Sequence, residues 1–196
     1  EKKKTLFPNL KSLEFNDFKE QINFLKSKAN ILNNDQFYNI LQTKKLPKKP
    51  SVILTFDDGY IDHYNYVFPF LFNNKISGFF YPPIETIGSK KVLEVNKIHL
   101  ILEKEKNKRK IINLIFHLLK KNFGISPNNL KLSKIKLTNR YDNKVTMLIK
   151  MLLQRHLPFK YRKKIVDEIF FKIFKSKETE IAKKIYMDKK HIIEMS

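Results

Sequence analysis

Ser51-Val52-Ile53-Leu54-Thr55-Phe56-Asp57-Asp58-Gly59-Tyr60 is the stretch on which the reading of this chain turns. Its short apolar run, rich in β-branched residues, predicts a buried parallel strand, and Gly59 marks the turn that ends it. The strand is expected to be central, with Asp57 and Asp58 at its carboxyl end, where α/β folds place their chemistry. Two adjacent carboxylates at such a tip repel each other and lose solvation. They are most easily kept when a cation or a substrate proton neutralises them. Turn chemistry alone also accounts for an Asp-Asp-Gly sequence, so the acids need support from their surroundings.

Working outward, Asn16 or Asp17 is expected to cap a helix running to about Lys28, with Phe18, Ile22 and Leu25 at helical spacing. Phe15 is placed to staple its start. Asn30-Ile31-Leu32 reads as a short strand, and Asn34 or Asp35 as the cap of a second helix with Phe37, Ile40 and Leu41 inward. After the acids, Ile61 to Asn74 reads as a helix with Tyr64, Val67, Phe68 and Leu71 on its buried side, kinked or broken at Pro69. Ile76 to Tyr81 is a second core strand whose end should lie beside that of the first. Tyr81, Pro82 and Pro83 then either wall a site at the strand ends or simply end the strand.

Thr55-Phe56-Asp57-Asp58-Gly59-Tyr60 resembles the first motif of the polysaccharide deacetylases, the NodB-homology or family 4 carbohydrate esterases. Tyr64, Val67, Phe68, Pro69 and Leu71 look like that family's first helix, and Ile76-Ser77-Gly78-Phe79-Phe80 like its next strand. The resemblance implies an α/β fold: an incomplete NodB-like distorted (β/α) barrel with a large α-helical insertion. It also implies metal-dependent hydrolysis of N- or O-acetyl groups on a carbohydrate, such as a surface polysaccharide. By that motif Asp57 is the general base that activates water, and Asp58 is a ligand to a divalent metal, usually zinc. Tyr60 and Tyr81 are the candidate substrate-contacting side chains. The family completes its metal site with two histidines in a later His-Ser/Thr-x-x-His-Pro segment, and this sequence contains none. Ile185-Tyr186-Met187-Asp188 and Ile192-Ile193-Glu194-Met195 look like the lead-up to that segment. The resemblance therefore spans nearly the whole chain but only the family's N-terminal part, and the fragment is expected to be inactive. The implied division is 1–91 for the deacetylase domain, 92–185 for the helical insertion and 186–196 for the return to the α/β domain.

Within the expected insertion, helices are read over Val92–Leu102, Ile111–Phe123, Tyr141–His156 and Phe159–Phe174, with an irregular loop from Gly124 to Asn139. Stripes such as Ile165, Ile169 and Ile173, or Val145, Leu148 and Leu152, are packing faces. His63 reads as a solvated helix residue, and His99, His117 and His156 lack metal-ligand spacing. His63 and His99 are the candidates should the chain supply a further ligand. Glu178 to Asp188 reads as a helix followed by a cap, and Lys189 to Met195 opens another.

With 196 residues, 42% hydrophobic and 13% aromatic content, the chain is globular rather than disordered. It has no cysteine, which excludes disulfides and thiolate metal sites. No run of eighteen apolar residues suggests a membrane span. No leader follows Glu1, but Glu1 is not a methionine and the natural start is read as missing, so localisation is left open with a cytoplasmic placement favoured. The net charge of +21 is dominated by lysine and accompanied by abundant Asn, Ile and Phe. It is read as compositional, with no specific nucleic-acid partner expected. A noncatalytic carbohydrate- or polyanion-binding protein remains the alternative. Aspartate-nucleophile phosphatases need a second acid two residues after the first, and Gly59 stands there.

Overall fold

The computed structural model describes residues 13–88, 90–130, 132, 142–175 and 177–196. It divides into two compact units: residues 11–91 with 178–196, and residues 92–177. The described architecture is mixed α/β, with helices dominating and a few short parallel strands.

The α/β unit begins with α1 (Phe15–Lys28), β1 (Asn30–Ile31) and α2 (Asn34–Thr43). Glu14 stands at the α1 N-cap without a capping side-chain bond, so neither Asn16 nor Asp17 plays the expected role. At α2 the cap is Asn33, one residue earlier than expected. Its carboxamide accepts from the Gln36 N–H at 2.9 Å, and the Gln36 side chain accepts from the Asn33 N–H at 3.0 Å. Leu41 is exposed rather than inward, whereas Phe37 packs edge-on against Phe79 with ring centroids 5.7 Å apart.

The deciding stretch is divided into two short strands, β2 (Ser51–Val52) and β3 (Thr55–Asp57). β2 pairs in parallel with β1, and β3 pairs in parallel with β4 (Phe79–Tyr81). The stretch is thus shared between both pairings, but it is half-buried rather than buried, and Thr55 and Asp57 are exposed. The expected burial fails because the described residues form two two-stranded sheets and no closed barrel. A parallel strand is fully covered only when neighbours and helices close over both faces. Aromatic packing does what sheet burial does not. The register pair Phe56 and Phe80 stacks at 4.8 Å, and Phe18 meets both Phe56 and Phe70 edge-on at 6.1 and 5.8 Å.

Beyond β3 the chain makes a wide π-helical turn at His63–Val67 before α3 (Phe68–Asn73). Pro69 sits in the first turn of α3, where a missing N–H does no harm. The expected kink is therefore a π turn upstream of the proline, in which the Phe68 N–H reaches the His63 carbonyl. The short α4 (Ile84–Ile87) follows β4. The unit closes with α9 (Glu178–Ile185) and α10 (Lys189–Met195). Between these two helices Tyr186 forms an antiparallel bridge with Tyr60, and the Met187 N–H donates to the Gly59 carbonyl at 2.8 Å.

The helical unit comprises α5 (Glu94–Lys104), α6 (Lys108–Phe123), α7 (Lys144–Met151) and α8 (Phe159–Phe174). A 3₁₀ turn at Pro127–Leu130 follows α6, and a π turn at Leu152–His156 follows α7. The rest of the expected Gly124–Asn139 loop, like Tyr141, lies largely outside the described residues. The core is aliphatic: Ile98, Ile101, Ile115, Leu119, Ile149, Ile165 and Ile169 are each 0% exposed. Each such side chain contributes about 1.5–3 kcal/mol by leaving water. Buried Lys97 is held by Asp167 at 2.6 Å and lies 5.5 Å from the Phe170 ring centroid. No helix among the described residues is long and apolar enough to cross a membrane.

Gly59 has φ +65°, and a Cβ built there would stand 2.7 Å from the Pro82 Cβ. Gly124 has nearly the same φ, +67°, with open space around it. Gly124→Ala should therefore cost only the left-handed strain, ~1–2 kcal/mol, whereas Gly59→Ala adds a steric overlap and should cost at least ~1 kcal/mol more. Urea denaturation followed by tyrosine fluorescence measures both, and equal losses would show that Pro82 yields freely.

Candidate acidic site at the end of the third strand

Asp57 is the last residue of β3 and lies opposite Tyr81 in the parallel register. The two strand ends are therefore adjacent, as the sequence implied. Both side chains are exposed, Tyr81 at 53%. Asp58 adopts φ +67°, and Gly59 follows with φ +65°. Aspartate is one of the few side chains that tolerates this region. Two successive left-handed residues reverse the chain immediately after the strand. Asp58 is half-buried and Gly59 buried.

Three contacts hold this turn. Pro82, just after β4, fills the space a Gly59 side chain would occupy. The Met187 N–H bonds the Gly59 carbonyl, and the His63 N–H bonds the Tyr60 carbonyl at 3.0 Å. Behind Pro82, buried Thr86 donates its hydroxyl to the Pro83 carbonyl at 2.7 Å and pins the start of α4. Thr86 was not singled out from the sequence, because a lone threonine after a proline pair carries no signal at that level.

Tyr60 is half-buried, with its ring stacked on Tyr186 at 5.7 Å and edge-on to His63 at 5.8 Å. Its ring packs the turn against the returning segment, whereas the Tyr81 ring stands in solvent beside Asp57.

His63 departs from its expected solvated role. Its ring lies among Phe56 at 5.6 Å, Tyr60 at 5.8 Å and Phe80 at 6.0 Å. Among the described residues its buried Nδ1 has no hydrogen-bond partner. Burial holds the imidazolium pKa below the usual histidine range, and the nearby charges of Asp58 and Asp57 only partly oppose that. A π turn after a strand tip is not readable from side-chain spacing, and that turn is what directs His63 inward. Next to it, Asp62 is exposed overall, yet partial loss of solvent around its carboxyl raises it above the usual aspartate range.

Of the other histidines, three belong to the helical unit and one to α10. His99 is on α5, where neighbouring Glu94 is ion-paired to Arg162 at 3.1 Å. His117 is exposed on α6, and His156 contacts the Leu130 carbonyl through Nε2 at 2.6 Å. His191 belongs to the α10 capping box, in which its ring accepts from the Asp188 N–H at 3.0 Å. Tyr64 donates to Glu194 and packs on the His191 ring at 4.4 Å, so α10 is fixed against the π turn. Among the described residues, no three His, Asp or Glu side chains gather as a cation site. Asp57, Asp58 and His63 share a neighbourhood without converging on one point, so the described residues do not by themselves fit a resident metal.

Compared with known proteins, the chain matches no family model, no curated protein and no solved structure.

The folded pKa of His63 lies below its unfolded value, so on acidification the unfolded chain takes up the proton first. Stability should then fall as pH drops below about 6.5. His63→Phe keeps an aromatic ring and removes the titration, and should shrink the stability lost between pH 7.5 and 5.5. Urea midpoints at the two pH values measure this, and an unchanged loss would return His63 to solvent.

Proposed function

We propose that the chain is the N-terminal part of a metal-dependent carbohydrate deacetylase that hydrolyses N- or O-acetyl groups on a sugar polymer. The observation that carries this reading is the pairing of Asp57 with Tyr81 at adjacent parallel strand ends, inside the string Thr55-Phe56-Asp57-Asp58-Gly59-Tyr60. In this reading the α/β unit is the opening portion of a NodB-like (β/α) barrel, and the helical unit is an insertion into it.

Exposed Asp57 accepts a proton from the water that attacks the acetyl carbonyl, a role a carboxylate fills when it lies within hydrogen-bond reach of that water. Tyr81 offers an exposed ring beside it for the face of a sugar. Asp58 is the residue left for the divalent metal, zinc by resemblance. One carboxylate is one ligand, and a catalytic zinc site takes three from the protein. The remaining two belong to a histidine pair that this sequence does not contain.

A noncatalytic carbohydrate- or polyanion-binding protein is the second reading. It draws on the lack of a three-ligand cluster among the described residues.

Two measurements decide between them. The 196-residue chain alone should bind zinc no more tightly than about millimolar in calorimetric titration, and should release no acetate from an N-acetylated oligosaccharide. A longer protein that continues the reading frame into a His-Ser/Thr-x-x-His-Pro segment should release acetate, and lose at least ~100-fold of that activity in Asp57→Asn. A continuing frame without such a segment, or a longer protein without turnover, leaves the noncatalytic reading standing.

A further inference from the structure

The basic charge is not shared evenly between the two units. Residues 92–177 hold 22 of the 40 Lys and Arg but only 6 of the 19 Asp and Glu, a formal +16 of the total +21. The other residues hold 18 and 13. A compositional bias along the whole chain would load both units alike, so the excess belongs to the helical unit itself. Most of that unit's acids are moreover engaged within it. Glu94 pairs with Arg162, Glu105 with Lys110, Asp142 with Lys150 and Asp167 with Lys97.

Three of these cations lie together on one exposed face of α8. This face is a shallow, open groove along α8 of about 710 Å³, lined by Phe159, Lys160, Lys163, Lys164, Asp167 and Glu168 of that helix alone. The three lysines are exposed, and the Phe159 ring is 61% exposed at one end of the lining. Asp167 is held by Lys97 at 2.6 Å, and Glu168 accepts from the Asn122 carboxamide at 2.9 Å. Each carboxylate keeps further lone pairs to offer.

We propose that the helical unit is a docking surface for an anionic polysaccharide, with the α8 groove at its centre. The choice of a glycan rests on the carbohydrate reading above. The chemistry of the groove supports the same choice. A chain of uronic-acid or phosphorylated sugars presents anions to the lysines, hydroxyl donors to Asp167 and Glu168, and a C–H face to Phe159. A DNA backbone brings phosphates to the lysines but no hydroxyl donors for Asp167 and Glu168. Arginine, the residue suited to bidentate phosphate and base recognition, supplies only 4 of the 22 cations.

Fluorescence anisotropy with labelled polygalacturonate at about 0.15 M salt tests this on the whole chain. Lys160→Gln/Lys163→Gln/Lys164→Gln should weaken binding about tenfold. The charge-matched Lys44→Gln/Lys45→Gln/Lys49→Gln variant, altered at exposed sites in the α/β unit, should stay within about twofold. The single change Lys160→Glu should weaken binding as well, and circular dichroism melts check that every variant is folded. Equal weakening by the two triple variants overturns the groove. A single-stranded DNA oligonucleotide, or vesicles with a quarter phosphatidylglycerol, binding as tightly and with the same lysine dependence overturns the glycan. Polygalacturonate binding is read on the 196-residue chain, separately from acetate release by the longer protein. Failure of acetate release in the longer protein with groove binding intact therefore counts against the deacetylase reading and not against the groove.

Discussion

The bond from the Met187 N–H to the Gly59 carbonyl, made over a turn too crowded for any side chain at Gly59, is the constraint on which the α/β unit depends. Asp58 and Gly59 both occupy the left-handed region, and Pro82 stands where a Cβ would be. The end of β3, the end of β4 and the segment between α9 and α10 thus meet at one glycine. Around that point His63 turns inward, Tyr60 and Tyr186 stack, and Asp57 is left exposed at the tip. The acids keep their place because the backbone beneath them is overdetermined, whereas their own side chains are little constrained.

The two units are stabilised by different means. The helical unit buries a continuous set of isoleucines and leucines at or near zero exposure, the signature of a close-packed core. The α/β unit has few fully buried side chains and instead sets phenylalanine rings edge-on and stacked around half-buried strands. Local opening is therefore cheapest in the unit that carries the acids and dearest in the helical one.

Periodicity made the helices legible. Phe159–Phe174 was read to the residue, because Ile165 and Ile169 form a stripe that solvent-facing lysines flank. The adjacency of Asp57 and Tyr81 was legible too, since consecutive α/β strands tend to pair. What escaped was set by backbone geometry rather than residue pattern. The inward turn of His63 depends on a π turn, and the half-burial of Val52 to Phe56 depends on how many neighbours cover the strand. Neither is encoded in the stretch itself. The caps slipped by a residue or two because Asn33, Asn34 and Asp35 all offer suitable oxygens, and only the reciprocal Gln36 bond singles out the first. The charge distribution is a separate matter, because the division at residues 91 and 177 separates regions that differ in both cations and acids.

The return of the C-terminal segment carries a consequence for synthesis. Tyr64 and its partner Glu194 are 130 residues apart, and a nearly equal stretch of chain separates Gly59 from Met187, which clamps the acidic turn. On the ribosome the turn emerges first and stays unclamped while the entire helical unit is made, a delay of roughly ten seconds at ordinary elongation rates. Closing a loop of that length as free coil is slow, but folding the helical unit first replaces most of the coil with a compact body and shortens the loop that must close. The helical unit would then act as a folding spacer whose completion times the assembly of the acidic tip. Through that interval the Gly59 carbonyl lacks its Met187 partner, so the acidic turn is held least firmly in the nascent chain.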